Sequence, residues 1–329
     1  MDMVQLVYNH WHFTRDVENF QWGVSRKSFG VFATRGIRPS MEDRFHVLFD
    51  TVDTTELTAH MDTKTAGVAL PVKYYGIFDG HGGQASANFV EDKLLYAIAE
   101  RLRFELKTSD LDDIKWQQVM EDEFVKLDEL LYNATYKNQE PQDASGSTVL
   151  IVIHLPNRLV VANLGDSRTV MCAHDGKAVP LSSDHKPNNP KELSRLKSLD
   201  GGFIEFWGVW RVQGILATSR SLGDFFLKSP QPYMNNLPDT EQYKFVPYSV
   251  STIHLFNATT SVGMLKKPRF VLLATDGLWD VFTTEQAVDL VLEVLAKGET
   301  DLQVVAEYLV QEAIKRGSLD NVTVMILQL

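Results

Sequence analysis

The stretch Tyr75-Gly-Ile-Phe-Asp-Gly-His-Gly-Gly83 decides how the rest of the chain is read. Tyr75, Ile77 and Phe78 suit a buried β-strand. The strand stops at Asp79, and Gly80, Gly82 and Gly83 then permit a tight turn and a close approach to a ligand. From Gln84 to Leu106 the spacing turns helical, with Ala85, Phe89, Leu94 and Ile98 roughly on one side. A carboxylate, a bare backbone turn and an imidazole therefore sit together at the end of a strand. That combination suits a metal and a proton donor. A glycine turn with a chance histidine is the competing reading.

The 329 residues fit one large α/β domain. A hydrophobic share of 44% is enough for a sizeable core. With 32 basic and 43 acidic residues the net charge is −11, which argues against general nucleic-acid or anionic-membrane binding. Cys172 is the only cysteine, so no intrachain disulfide forms and nothing suggests secretion. No apolar run reaches the length of a membrane-spanning helix.

Residues 1–27 carry aromatics without a clear period and read as an N-terminal arm packing on a domain of residues 28–329. Phe29 to Thr34 and Arg44 to Phe49 read as strands. Between them lies R-P-S-M-E-D at 38–43, an arginine and two adjacent acids. Residues 50–72 read as a polar surface loop. A second helix is expected from about Asp113 to Tyr136. Thr148 to Leu155, Arg158 to Leu164 and Arg168 to Ala173 read as an antiparallel meander, with Gly165-Asp166 as one of its hairpin turns. Pro190 to Leu199 is a short helix, and Trp210 to Thr218 is expected to be a strand. Residues 225–268, rich in proline, are the least regular segment and read as a flap or insert. Phe270 to Thr275 and Asn321 to Leu327 are apolar strands; between them lie two amphipathic helices, Thr283 to Ala296 and Asp301 to Lys315.

The acids share one context. Asp79, Asp276 and Asp320 each lie in a turn beside an apolar strand, and Asp43 directly precedes one. Aspartate favours turns for local reasons. Several such acids converging on one sheet edge repel one another unless cations neutralise them. Hard oxygen ligands select Mg²⁺ or Mn²⁺ over Zn²⁺, and no CxxC or HExxH pattern occurs.

These residues stand in a series: R-P-S-M-E-D at 38–43, F-D-G-H-G-G at 78–83, S-G-S-T at 145–148, N-L-G-D-S-R at 163–168 and D-H-K-P at 184–187. It continues with G-G at 201–202, A-T-S-R-S-L-G-D-F at 217–225, A-T-D-G-L-W-D at 274–280 and D-N-V-T at 320–323. In content and order the series resembles the metal-dependent protein serine/threonine phosphatases, the PPM or type 2C family. Around Gly202 to Lys228 the wording is most similar to the animal epsilon-type, or one-like, members. The resemblance covers about Phe29 to Leu327 and implies an α+β fold, a four-layer αββα sandwich of two antiparallel sheets flanked by helix pairs. It also implies two Mg²⁺ or Mn²⁺ ions per site. Asp79 matches the bridging ligand, Gly80 a backbone-carbonyl ligand, Asp276 and Asp320 further ligands, and Glu42 a ligand of the second ion with Asp43 in support. Asp166 and Asp280 match a weaker third site, Arg38 the phosphate clamp and His81 the general acid.

The expected activity is hydrolysis of phosphoserine and phosphothreonine in phosphorylated protein substrates. Cys172 lies in a strand rather than a phosphate-cradling loop, against a cysteine phosphatase. Two rivals stand beside this reading: a pseudophosphatase binding module on the same fold, and a metal-dependent hydrolase of small phosphoesters or nucleic acid. The acidic balance weighs against nucleic acid. Arg38 is open to an ordinary ion-pair role, and Asp166 and Asp280 to structural turn roles. Asp184 and His185 read as loop braces, and Trp207, Trp210 and Trp279 as packing residues. A cytoplasmic monomer is expected. Some epsilon-type members carry an N-terminal membrane anchor; this chain is expected to lack one or to be a soluble form.

Overall fold

The structure is a computed structural model that describes residues 12–16, 21–26, 28–52, 70–107, 109–111, 113–137, 142–156, 158–198, 204–228, 254–257 and 268–329. These fall into two compact units. One is drawn from Met1–Asp43, Arg168–Leu181 and Ser261–Leu329, the other from Arg44–Ser167 and Ser182–Thr260.

The first unit is built on Phe270–Ala274 and Val322–Leu327, two strands whose every residue is buried. Such runs make sense only in the middle of a sheet covered on its faces. They sit centrally in a seven-stranded antiparallel sheet, ordered His12–Asp16, Gln21–Arg26, Phe29–Thr34, Val322–Leu327, Phe270–Ala274, Arg168–Cys172, Ala178–Pro180. Helices Thr284–Ala296 and Leu302–Lys315 cover this sheet with Val288, Val291, Leu309 and Val310, packed in one cluster with Phe32, Leu272 and Ile326. The first helix starts in a capping box between Thr283 and Gln286, and the second is capped by Asp301. Truncating one such buried leucine costs about 2–5 kcal/mol. The strands at 12–16 and 21–26 lie inside the stretch read as an arm. They pair with each other and then with Phe29–Thr34. Backbone pairing makes them strands, which explains why no side-chain period marked them.

The second unit carries a five-stranded antiparallel sheet, ordered His254–Asn257, Arg158–Leu164, Val149–Leu155, Leu70–Phe78, Arg44–Val52. Helices Ala85–Glu105 and Trp116–Leu131 bury Leu94, Ile98, Leu102, Val119, Phe124 and Leu127 in one cluster with Tyr74, Ile151 and Val160. The second helix begins three residues later than expected and ends in a π-turn, Tyr132–Tyr136.

Three expectations change. The meander breaks after Arg158–Leu164: Arg168–Cys172 pairs with Phe270–Ala274 and Ala178–Pro180 instead. Gly165-Asp166-Ser167 is thus no hairpin turn but the passage from one unit to the other. Gly165 takes φ +122° there, its N–H donates to His185 Nδ1 at 2.9 Å, and its carbonyl accepts from the His185 N–H at 2.9 Å. His185 braces this loop, as read. Second, the strand expected at 210–218 is replaced by a separate hairpin, Ile204–Trp207 with Val209–Val212, turning at Gly208 (φ +81°). Third, Trp207 and Trp210 on that hairpin are 69% and 40% exposed, against their reading as packing residues, whereas Trp279 is buried. In the irregular segment, Phe225–Lys228 forms a short helix. Its Phe225 is buried on the rings of Tyr132 and Tyr136. Tyr233, Met234 and Tyr243, expected from the sequence to contact protein substrates from this flap, lie outside the described residues.

Candidate active site

In the second unit, Leu70–Phe78 delivers Asp79 at its end. The N–H of Asp79 donates to Thr148 Oγ1 at 3.1 Å, and its carbonyl accepts from the Thr148 N–H at 2.9 Å. This pair ties the F-D-G-H turn to S-G-S-T. Carboxylate oxygens of Asp79 and Asp166 lie within 4.8 Å of one another. Asp166 is buried and accepts from Lys186 Nζ at 2.5 Å, a charge-assisted bond that gives it one positive neighbour. His185, next in sequence, is pushed down to about 3 by burial and then by the charge of Arg220, so it stays neutral. Gly80 and His81 form a two-residue strand against Gly146 and Ser147. His81 Nε2 lies 2.8 Å from Asp224 Oδ2.

The first unit gathers the other acids. Asp43 is buried, and its Oδ2 accepts from Thr323 Oγ1 at 2.7 Å and Thr275 Oγ1 at 3.0 Å. Burial raises its carboxyl to about 7; the hydroxyl of Thr323 opposes this, and the charges of Asp320 and then Asp276 add to it. Arg38 is turned onto Asp320, Nη2 to Oδ2 at 2.7 Å, with Nε donating to the Leu319 carbonyl at 3.0 Å. Glu42 accepts from Ser40 Oγ at 2.9 Å, and its N–H donates to Asn321 Oδ1 at 2.7 Å. Asn321 also donates to the carbonyls of Arg35 and Ser40 at 2.9 and 3.0 Å, so one amide fixes the whole 35–42 loop. Gly277 is glycine for steric reasons: a Cβ there would run into the Asn321 carbonyl. Asp276 is half-buried and Asp280 exposed, at the start and the C-cap of a one-turn helix.

Each unit thus brings its own candidates together: Asp79, Asp166 and His81 in one, and Arg38, Glu42, Asp43, Asp276 and Asp320 in the other. The donor set fits a hard divalent cation, because it is carboxylate oxygen with neither thiolate nor imidazole among the acids. The sequence reading assigned no role to Asp224, Lys186 or Asn321, although each lies in a motif it quoted. A partner distant in the chain gives a turn acid or a loop lysine no local signal.

The family model for protein phosphatase 2C matches residues 27–322. The chain belongs to the protein phosphatase 2C family of protein serine/threonine phosphatases, which are metal-dependent. It is 36% identical to protein phosphatase 1L of Bos taurus over 308 residues, which covers 93% of this chain and 74% of that protein. It is 35% identical to the probable protein phosphatase 2C 71 of Arabidopsis thaliana over 92% of this chain and 55% of that one. Among solved structures, a phosphatase from a pathogenic strain of Toxoplasma gondii shares the fold, with a TM-score of 0.66 at 24% identity over 93% of this chain and 94% of that one. No helix of the described residues is long and apolar enough to cross a membrane.

Proposed function

We propose that this chain hydrolyses phosphoserine and phosphothreonine in proteins, using two Mg²⁺ or Mn²⁺ ions. The observation that carries the reading is the pair Asp79 and Asp166, gathered within 4.8 Å at the F-D-G-H turn of a chain in this family. Asp79, the Gly80 carbonyl, Asp276, Asp320 and Glu42 would hold the two ions, with Asp43 in support and Asp166 and Asp280 at a third. Bound ions of this kind lower the pKa of a water and so supply the nucleophile. Arg38 exchanges its contact with Asp320 for the phosphate, which its planar fork binds bidentately. His81 gives a proton to the departing serine or threonine oxygen, work worth about 10²–10⁴-fold in such reactions. The lone, buried Cys172 suits a reducing compartment, and we assign the protein to the cytoplasm.

The test is release of phosphate from a phosphopeptide with and without Mn²⁺. Mn²⁺-dependent release is expected. A pseudophosphatase would bind Mn²⁺ and release none, and a hydrolase of small esters would cleave only an aryl phosphate. His81→Gln should slow the phosphopeptide more than the aryl phosphate, whose leaving group needs less protonation.

A further inference from the structure

Three short strands of the second unit, Gly80–His81, Gly146–Ser147 and Leu222–Gly223, pair side by side. Their register sets His81 opposite Gly146, and Gly146 opposite Gly223. His81 and Asp224 therefore meet across Gly146, where His81 Nε2 and Asp224 Oδ2 are 2.8 Å apart. A Cβ on Gly146 would overlap both atoms, so glycine at this position leaves the space in which the bond lies.

Asp224 is held for this contact at a cost. It is 1% exposed and takes φ +50°, a left-handed conformation that non-glycine residues rarely adopt. Its Oδ1 is buried with no hydrogen-bond partner among the described residues, an expensive state for a carboxylate oxygen. Its surroundings enforce the pose. Ser221 Oγ donates to Oδ2, and the Asp224 N–H donates to the Ser145 carbonyl at 3.0 Å. The preceding Gly223 N–H donates to Asp128 Oδ1 at 2.7 Å. Asp128 is itself buried and paired with buried Lys228 at 2.9 Å. An ordinary turn acid would instead hydrogen-bond the backbone two residues on.

We propose that Asp224 is a positioning residue: its carboxylate holds the imidazole of His81 through Nε2, so proton delivery to the departing oxygen falls to Nδ1. The proposal rests on His81 being the proton donor. As the phosphorus–oxygen bond breaks, its electron pair stays on the serine or threonine oxygen. That oxygen takes the proton from Nδ1, and His81 is left neutral with its remaining proton on Nε2, donated to Asp224. A carboxylate that fixes the tautomer and ring plane of a catalytic histidine is a general device.

The experiment uses the full chain and Asp224→Asn, since asparagine matches the shape and tolerates the left-handed backbone. With Mn²⁺ bound, kcat on a phosphopeptide should fall about 10- to 10³-fold, as misplacing a general acid allows, with KM little changed. Turnover of an aryl phosphate with a good leaving group should change far less. Adding Asp224→Asn to His81→Gln should cost nothing further. Nitrogen NMR of the ¹⁵N-histidine-labelled protein should find neutral His81 as the Nε2–H tautomer in the parent, with that bias lost in Asp224→Asn. Gly146→Ala should move the tautomer signal in the same direction. An unchanged tautomer in Asp224→Asn, or equal losses on both substrates while His81→Gln remains selective for the phosphopeptide, overturns the proposal and leaves His81 as donor. If His81→Gln slows both substrates equally, the donor reading itself falls.

Discussion

Asp43 and Asp166 are both buried carboxylates among other acids, and the two units deal with them differently. In the first unit Asp43 accepts from two threonine hydroxyls, and burial raises its carboxyl to about 7. In the second unit Asp166 has the ammonium of Lys186 at 2.5 Å. One charge is suppressed by titration, the other offset by a fixed cation. A buried charge must be neutralised in one way or the other, because leaving it bare costs several kcal/mol. The contrast also has a reading in terms of ligands: an acid with raised proton affinity waits for a cation, whereas an acid with a lysine must give that lysine up.

The largest effect should come from Asp79→Asn, which weakens the acidic pair at its turn. Phosphatase activity should become undetectable at saturating Mn²⁺ while the thermal melt stays close to the parent's. Substantial residual turnover would remove Asp79 from the ligand set. Asp166→Ala should be milder, with the protein folded but turnover lowered or the Mg²⁺ requirement raised. Superimposable metal titrations and rates would make Asp166 a loop residue only.

The pH dependence of stability sharpens the comparison, since the units should respond in opposite senses. Asp43 is raised from 3.8 to about 7, so the folded state holds its proton longer than the unfolded one. Its contribution is complete below about 4 and is lost as pH rises through 7. Urea melts in EDTA should show that decline, Asp43→Asn should flatten it, and Mg²⁺ should cancel it in the parent. His185 is lowered from 6.5 to about 3, so the unfolded state takes the proton first as pH falls. Stability should then drop from pH 6.5 down towards 3, by at most about 1.4 kcal/mol per pH unit. His185→Gln, which keeps an acceptor for the Gly165 N–H, should flatten this limb and leave the alkaline one alone. Should both variants flatten the same limb, the contrast between the units fails.

Much of this was legible in the chain itself. Phe29–Thr34 and Arg158–Leu164 have the bounds expected, because short apolar-rich runs between turn residues admit little else. The candidate acids were legible as a group from their place at strand ends. What escaped notice depended on distance or on covering. Asp224 meets a histidine 143 positions away, so nothing beside it in sequence signals the contact. Gly165-Asp166 has the composition of a hairpin turn, and only the pairing of Arg168–Cys172 with Phe270–Ala274 reveals a change of sheet. Ile204–Val212 has the apolar content of a core strand, and apolar residues read alike whether or not anything packs on them.

The exposed hairpin also makes the protein self-reporting under ultraviolet light. Of its six tryptophans, Trp116 and Trp279 are buried, whereas Trp207 and Trp210 stand open to solvent beside a glycine whose missing side chain would touch nothing. Indoles in water emit to the red of indoles in a core, and iodide in solution quenches only those it can reach. Among the four tryptophans whose side chains are described, emission therefore divides into a quenchable part from the hairpin and a shielded part from the two cores. Anything that settles on Phe206, Trp207 and Trp210 would be seen as lost quenching, with the buried pair as the internal standard.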